Sequence, residues 1–416
     1  MSSWKPARAV LLQVNGVDKP GVTHSLTAIL ASHNARILDI GQAVIHKTLA
    51  LGILVELDED LKSSTMLADL FLTSQELGVE LRFSLVPGSE YQAWVTEQER
   101  RRYLITLLAP AISSLHLSEV SRIIARTGLN IDRIDRLSGR APLNSDDWPQ
   151  RACIELAVSG ELSNEEDLRG ELMRLTENHD LDVAVQHDDV YHWNRRLVAF
   201  DMDSTLIRVE VIDELARLAG VGAEVAAITE SAMRGEIEFR KSFVQRVSLL
   251  GGLPEAALAR LAASVPLMDG AERLTGTLKS LGYKMAILSG GFSFMGTELQ
   301  RRFGIDYLYA NELEICDGLV TGCVSAEIID GPRKAALLRE IAARENFTME
   351  QVIAVGDGAN DLPMLSIAGL GIAFRAKPIV RGSARLSISR LGLDGILYLL
   401  GLRDRESGPV KVGQTI

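Results

Sequence analysis

Asp201 and Asp203 stand one residue apart in Phe200-Asp201-Met202-Asp203-Ser204-Thr205-Leu206, directly after the apolar run 197–200. Two carboxylates projected from a strand end into a tight turn repel each other unless a cation sits between them and a bound phosphate. A second apolar run, 284–288, leads into Ser289-Gly290-Gly291-Phe292. That segment reads as a turn whose hydroxyl and bare backbone N–H groups can hold a phosphoryl oxygen. A third run, 352–355, opens onto Gly356-Asp357-Gly358-Ala359-Asn360-Asp361, where acids again sit at a strand end and glycines allow the backbone close to a ligand. Hard oxygen donors in this number favour Mg2+ over a transition metal. Lys334, in Gly331-Pro332-Arg333-Lys334 at a helix start, is the fixed cation available. Each piece alone is commonplace: most Asp-x-Asp pairs are solvated turns or helix caps, and a lone helix lysine is usually solvated. Their shared position after buried runs is what joins them.

The elements that must position these residues follow from the pattern around them. Runs 197–200, 284–288, 308–310, 352–355 and 371–374 are nearly uninterrupted apolar segments alternating with helices. Such runs suit strands buried on both faces of a parallel sheet, whose ligands bind beyond the carboxyl ends of the strands. This predicts an α/β, Rossmann-like domain over 195–402. Its insert 211–266, rich in Ala, Leu, Glu and Arg at helical spacing, forms a small helical cap. Upstream, 8–14, 36–46, 49–57 and 79–85 read as strands, with helices near Leu26–Leu30 and over 61–77. This β-α-β-β-α-β order is ferredoxin-like and gives an α+β domain over 1–90. The same order recurs over 100–188, with a polar loop at 139–150. Each unit leaves one sheet face to pack on another unit or subunit. Residues 403–416 read as a flexible tail.

Bulk properties exclude several classes. A net charge of −11 gives no basic footprint for nucleic acid or an anionic membrane. With 47% apolar residues but no run long enough to span a bilayer and no signal-peptide core near the N-terminus, the expectation is a cytoplasmic protein. Cys153, Cys316 and Cys323 have neither disulfide nor metal spacing, which suits a reducing compartment.

Taken together, the four segments resemble the haloacid dehalogenase superfamily, whose motifs fall in this order. The Asp-x-Asp-Ser-Thr, Ser-Gly-Gly-Phe and Gly-Asp-Gly-Ala-Asn-Asp wordings are similar to its phosphoserine phosphatase family. The resemblance implies Asp201 as nucleophile, forming an aspartyl-phosphate, and Asp203 as general acid and base. It also implies Mg2+ held by Asp201, the Asp203 backbone carbonyl and Asp357, with Asn360 and Asp361 in support. Ser289, Gly290 and Lys334 would carry the phosphoryl oxygens. Glu210 and Arg246 match the family's substrate readers, one acid and one base for the ammonium and carboxylate of phosphoserine. Met233 and Phe239 align with residues lining the family's pocket, and Asn360 belongs with the substrate contacts. The implied activity is hydrolysis of phosphoserine in the last step of serine biosynthesis. Two alternatives stay open: phosphoryl transfer to another alcohol, and an amino-acid-sensing regulator. The N-terminal units resemble ACT domains, through Asp18-x-Pro20-Gly21 in the first copy; the second has Ala109-Pro110-Ala111 at that turn. This leaves two options for them, L-serine as a regulatory ligand with Asp18 and Gly21 beside it, or dimerisation alone. A homodimer is expected either way.

Overall fold

Alternation of apolar residues, with period two in the strands and near four in the helices, accounts for most of the elements found. A computed structural model describes residues 8–57, 62–97, 101–140, 142, 151–162, 164–234, 236–325 and 327–406. The chain divides into two compact units, Met1–Arg100 and Arg101–Ile416.

In the first unit, β1 (Arg8–Val17), α1 (Val22–Ser32), β2 (Ile37–Ile45), β3 (Thr48–Leu57), α2 (Lys62–Leu77) and β4 (Val79–Val86) follow the expected order. The sheet is antiparallel with order β2-β3-β1-β4. Val10, Leu12 and Val14 point to one face of β1 and are buried with Leu26 and Leu30 of α1 and Met66 and Leu70 of α2. At the Asp18 turn, the Asp18 amide donates to the Lys47 carbonyl at 2.8 Å. Gly21, at φ 96°, takes the left-handed conformation that starts α1. A further helix, α3 (Gly88–Glu97), occupies what the sequence reading leaves as the end of the first domain and the start of a linker. It buries none of its residues, so it lacks the apolar stripe that would have marked it.

The second unit begins with the same topology. It comprises β5 (Arg102–Ala109), α4 (Ser114–Arg126), β6 (Asn130–Arg136), β7 (Ala152–Ser159), α5 (Glu165–Asn178) and β8 (Asp182–His187), in sheet order β6-β7-β5-β8. Ser113 caps α4 and Asn164 caps α5 through side-chain oxygens. The face away from these helices is not left bare: Leu108, Leu137, Cys153 and Ala184 join one core with residues of the following α/β domain, including Leu397 and Leu399. The expected packing against another unit is thus met within the chain.

The α/β domain runs β9 (Leu197–Phe200), four cap helices α6 (Val211–Ala219), α7 (Gly222–Met233), α8 (Phe239–Ser248) and α9 (Glu255–Ser264), then α10 (Ala271–Ser280), β10 (Lys284–Phe292), α11 (Ser293–Phe303) and β11 (Tyr307–Asn311). A hairpin follows, β12 (Leu313–Cys316) with β13 (Leu319–Val324), then α12 (Gly331–Arg344), β14 (Val352–Gly356), α13 (Leu362–Ile367), β15 (Leu370–Phe374), α14 (Pro378–Ser383), β16 (Leu386–Ile388) and α15 (Ile396–Leu399). The sheet order is β11-β10-β9-β14-β15-β16, with every pairing parallel. Its central strand, β9, is wholly buried.

Three expectations change. Ser289-Gly290-Gly291 is not a free turn; β10 continues through it to Phe292, and only the pairing with β11 shifts between Leu288 and Phe292. The β12–β13 hairpin has no sequence counterpart among the expected strands. Third, Asp404, placed in the flexible tail, is held: its carboxylate accepts from the Gly139 amide at 2.6 Å and the Tyr398 hydroxyl at 2.7 Å, and pairs with Arg273 at 2.8 Å. The rest of the tail, 407–416, and most of the 139–150 loop lie outside the described residues. Among the described residues no helix is long and apolar enough to cross a membrane.

Polar bonds lock the second small sheet to the α/β domain. Buried Asp182 accepts from the amides of Ser389 and Arg390, both at 2.7 Å, and Gln186 donates to the Leu399 carbonyl at 3.1 Å. Asp182→Ala removes a buried acceptor shared by two amides, so the chain should lose about 1–3 kcal/mol of stability, read as a lower urea midpoint. A midpoint equal to wild type would show that these bonds contribute nothing net.

Candidate active site

The carboxyl ends of β9, β10 and β14 converge, and each delivers part of one cluster. β9 stops at Asp201, whose amide donates to the Val355 carbonyl at 2.8 Å, fixing the start of the loop against β14. Asp201 Oδ1 accepts from the Met202 amide at 2.7 Å and lies 2.9 Å from Lys334 Nζ. Lys334 is fully buried, four residues after the helix cap Asp330, and its ammonium also meets Asp361 Oδ1 at 2.7 Å. Burial alone would lower the lysine pKa, but Asp201 and Asp361 outweigh it and raise it, so the ammonium stays charged. Asp361 Oδ2 accepts from the Gly358 amide at 2.9 Å. Gly356 is obligatory below it, because a Cβ there would collide with the Asp361 carboxyl group.

Asp203 sits above this layer. Its Oδ2 accepts from the Val211 amide at 3.4 Å, while Oδ1 is buried with no partner among the described residues. Burial, then Glu210 and Asp201, push its pKa well above the usual carboxylate range. Gly291 makes room for it, since a Cβ on Gly291 would stand 2.8 Å from Asp203 Oδ2 and 2.7 Å from the Met202 side chain. Ser289 is buried, with its Oγ accepting from the Gly291 amide at 2.9 Å. Gly290 is held through its carbonyl, which accepts from Asn311 Nδ2 at 2.8 Å.

Asp201, Asp357 and Asp361 bring one carboxylate oxygen each within 4.8 Å of one another. Burial and then the Asp201 charge push Asp357 up to about 8 and Asp361 up to about 7. Closely spaced acids with raised pKa values mark a place short of positive charge, and every donor in the cluster is a hard oxygen. A divalent, oxygen-preferring cation fits; a thiophilic metal does not. Asp361 already spends both oxygens on Lys334 and Gly358, so Asp201 and Asp357 have more to offer an ion.

The cap supplies the remaining residues. Glu210, exposed at the start of α6, accepts from Ser204 Oγ at 2.8 Å; burial of its surroundings and the Asp201 charge raise its pKa, against that hydrogen bond. Among the described residues Arg246, on α8, makes only long bonds of 3.4 Å to the Ser242 carbonyl and Thr229 Oγ1, and desolvation lowers its pKa. Phe239 reaches over Gly290: its ring tip lies 3.4 Å from where a Cβ on Gly290 would stand, and Asn360 Nδ2 lies 3.9 Å from the same point. Met233 ends α7, and its side chain lies outside the described residues. Asp18 and Gly21 belong to the first unit and form no part of this cluster.

Three contributors escape sequence reasoning. Buried Thr205 donates to Asp357 Oδ1 at 3.4 Å, tying the first loop to the last; it could have been read from the Asp-Ser-Thr wording. Ser204 takes a left-handed conformation, φ 54°, to aim its hydroxyl at Glu210. Asn311 links Gly290 to the Ile329 amide at 2.8 Å, and a lone Asn at a strand end carries no signal of that role.

Residues 198–366 match the haloacid dehalogenase-like hydrolase family, and 8–84 and 102–186 each match ACT domains. The chain is 39% identical over 402 residues to phosphoserine phosphatase SerB2 of Mycobacterium tuberculosis, covering 96% of this chain and 95% of that protein. It is 38% identical over 405 residues to the phosphoserine phosphatase of Streptomyces coelicolor, covering 95% and 93%. Among solved structures it resembles a probable phosphoserine phosphatase from Vibrio cholerae, at 32% identity and TM-score 0.57 over 73% of this chain and 87% of that one. It also resembles a haloacid dehalogenase family hydrolase from Salmonella enterica serovar Typhi, at 30% identity and TM-score 0.61 over 72% and 98%. With motifs, fold and near-full-length likeness agreeing, this chain belongs to the phosphoserine phosphatase family of haloacid dehalogenase-like hydrolases, with two ACT domains ahead of the hydrolase domain.

Proposed function

We propose that this chain hydrolyses O-phospho-L-serine to L-serine and phosphate, the closing step of serine biosynthesis, through an aspartyl-phosphate on Asp201. The observation that carries this is the pairing of two unlike carboxyls on one loop: Asp201 2.9 Å from the buried Lys334 ammonium, and Asp203 above it with its pKa pushed well above the usual carboxylate range. An Asp201 oxygen bonds to phosphorus, the P–O bond to the seryl oxygen breaks, and that oxygen takes the Asp203 proton. Asp203, now a base, removes a proton from the water that attacks the aspartyl-phosphate, restoring both carboxyls. Lys334, Ser289 and the Gly290 backbone stabilise charge on the equatorial oxygens. Mg2+, held by Asp201, the Asp203 carbonyl and Asp357 with Asn360 and Asp361 behind them, would shield the phosphate dianion from the attacking carboxylate. Glu210 and Arg246 take the ammonium and carboxylate of the substrate, with Met233, Phe239 and Asn360 around them; the loose bonding of Arg246 supports this role.

Asp201→Asn should leave the fold intact and lower turnover by about three orders of magnitude or more. Acid-quenched wild-type enzyme should carry one phosphoryl group on the peptide containing Asp201. In the same assay, phosphoserine should outcompete phosphates lacking an amino-acid end, and Arg246→Ala should lose that preference. Residual activity in Asp201→Asn above about a tenth of wild type would sink the nucleophile assignment. Phosphoryl transfer to added alcohols in place of phosphate release would redirect the reading to a transferase.

Metal affinity should depend on pH with a definite sign. Asp357 and Asp361 hold protons until about 8 and about 7, so a cation must displace them. Mg2+ affinity should climb with pH and level off above about 8. In metal-free protein these raised pKa values favour the folded state at low pH. That contribution should fade as pH rises from the unfolded carboxylate range through about 8. Thermal melts with and without Mg2+ across this range measure both trends, and Asp357→Asn should flatten them. A pH-independent Mg2+ effect refutes the assignment.

The ACT domains support L-serine as a regulatory ligand, the Asp18 turn and left-handed Gly21 being the place for it, and a homodimer. The free cysteines suit the cytoplasm. Calorimetric titration of L-serine into the full chain should give binding heat that Asp18→Ala abolishes, and sedimentation should give twice the chain mass. No heat, or a monomer, removes the corresponding claim.

A further inference from the structure

The cap is anchored to the core at both ends of α8, by unlike means. Past its C-terminal end, the backbone knits to the β12–β13 hairpin: the Gly252 amide donates to the Val320 carbonyl at 2.8 Å, the Val320 amide to Leu253 at 2.8 Å, and the Glu255 amide to Gly318 at 2.9 Å. Gly322 lies so close to Ser248 that a Cβ would stand 3.0 Å from its carbonyl oxygen. This end is a fixed hinge of main-chain bonds. The N-terminal end of α8, where Phe239 covers Gly290, is held differently. There Arg240 Nε donates to Asp330 Oδ2 at 2.7 Å.

We propose that Arg240 is a positioning residue whose ion pair with Asp330 latches the cap closed over bound substrate. This rests on the phosphoserine phosphatase reading of the site and adds to it how the cap is kept shut. Asp330 divides its two oxygens between two tasks. Oδ1 accepts from the Arg333 amide at 3.0 Å and caps α12, the helix that carries Lys334 in its first turn; Oδ2 takes Arg240. The closed position of the cap is therefore referenced to the same helix that aims the buried ammonium at Asp201. Exposure sets how the latch behaves. The Arg240 side chain is 45% exposed and Asp330 16%, so water and salt reach the pair and it can break on each cycle. Glu238 and Glu327 also face Arg240 and keep it charged without replacing Asp330.

The test is a double-mutant cycle in the full-length enzyme with Mg2+, using Arg240→Gln, Asp330→Asn and both together. Asn keeps a side-chain oxygen for the Arg333 amide, so the cap of α12 survives and melting temperatures should match wild type. At about 20 mM salt each single variant should raise KM for phosphoserine about three-fold, with kcat within two-fold of wild type. The double variant should be no worse than either single one, and Arg240→Lys should recover most of the loss. At about 0.5 M salt the wild-type KM should rise to meet the variants. The proposal is overturned if KM is unmoved in Arg240→Gln, or if the two single effects add. If wild type does not act on phosphoserine, the substrate reading fails by itself. The latch is then judged by the same cycle on inhibition by inorganic phosphate against a small phosphate ester, where the inhibition constant should follow the KM pattern.

Discussion

A buried ammonium between two buried carboxylates organises this molecule. Lys334 has no exposed surface, and a lysine so placed persists as a charge only because Asp201 and Asp361 flank it at 2.9 and 2.7 Å. Such a pair is a poor source of stability, since desolvating three charges offsets much of their attraction. What it provides is position. The lysine comes from the first turn of α12, Asp201 from the end of β9, and Asp361 from the loop after β14. These elements must meet within hydrogen-bond distance or leave a charge stranded, so the sheet, the helix and both loops are held in one register.

The charge balance around that contact explains the rest of the site. Asp201, Asp203, Asp357 and Asp361 converge around one lysine, and the surplus of negative charge, with burial, raises the pKa values of Asp203, Asp357 and Asp361. Asp357 and Asp361 lie within 4.8 Å of Asp201 through one oxygen each, whereas Asp203 stands apart from that cluster. The same electrostatic surplus thus acts on both loops, and the acids differ in their partners. Asp203 is held against the cap by the Val211 amide, whereas Asp357 is reached by Thr205 from the neighbouring loop.

What could be read from sequence is what local chemistry forces. A run of buried residues ending in Asp-x-Asp, or in Gly-Asp-Gly, announces itself because little else explains an acid at the end of an apolar strand. The parallel sheet, the cap insert and the two ferredoxin-like units were legible for the same reason of period and punctuation. Features that depend on distant partners were not. Ser289-Gly290-Gly291 looks like a turn until Asn311, from the next strand, is seen pinning the Gly290 carbonyl and keeping the segment extended. Helix α3 has no buried stripe to show itself. Asp404 lies among Gly, Pro and charged residues typical of a loose tail, and only folding brings it to Arg273, Tyr398 and Gly139.

That last set of contacts bears on why the two small domains differ. The second lacks Asp and Gly at the turn where the first has both, and its open sheet face is filled by the α/β domain instead. Asp182, Gln186 and Arg151 reach across to Ser389, Leu399 and Asp394, and Arg273 answers from the other side through Asp394 and Asp404. A sheet committed on its outer face in this way cannot slide or separate without breaking these bonds and exposing Leu108, Cys153 and Ala184 to water. Its duplication of the ferredoxin-like fold has been put to structural use, as one wall of the hydrolase core.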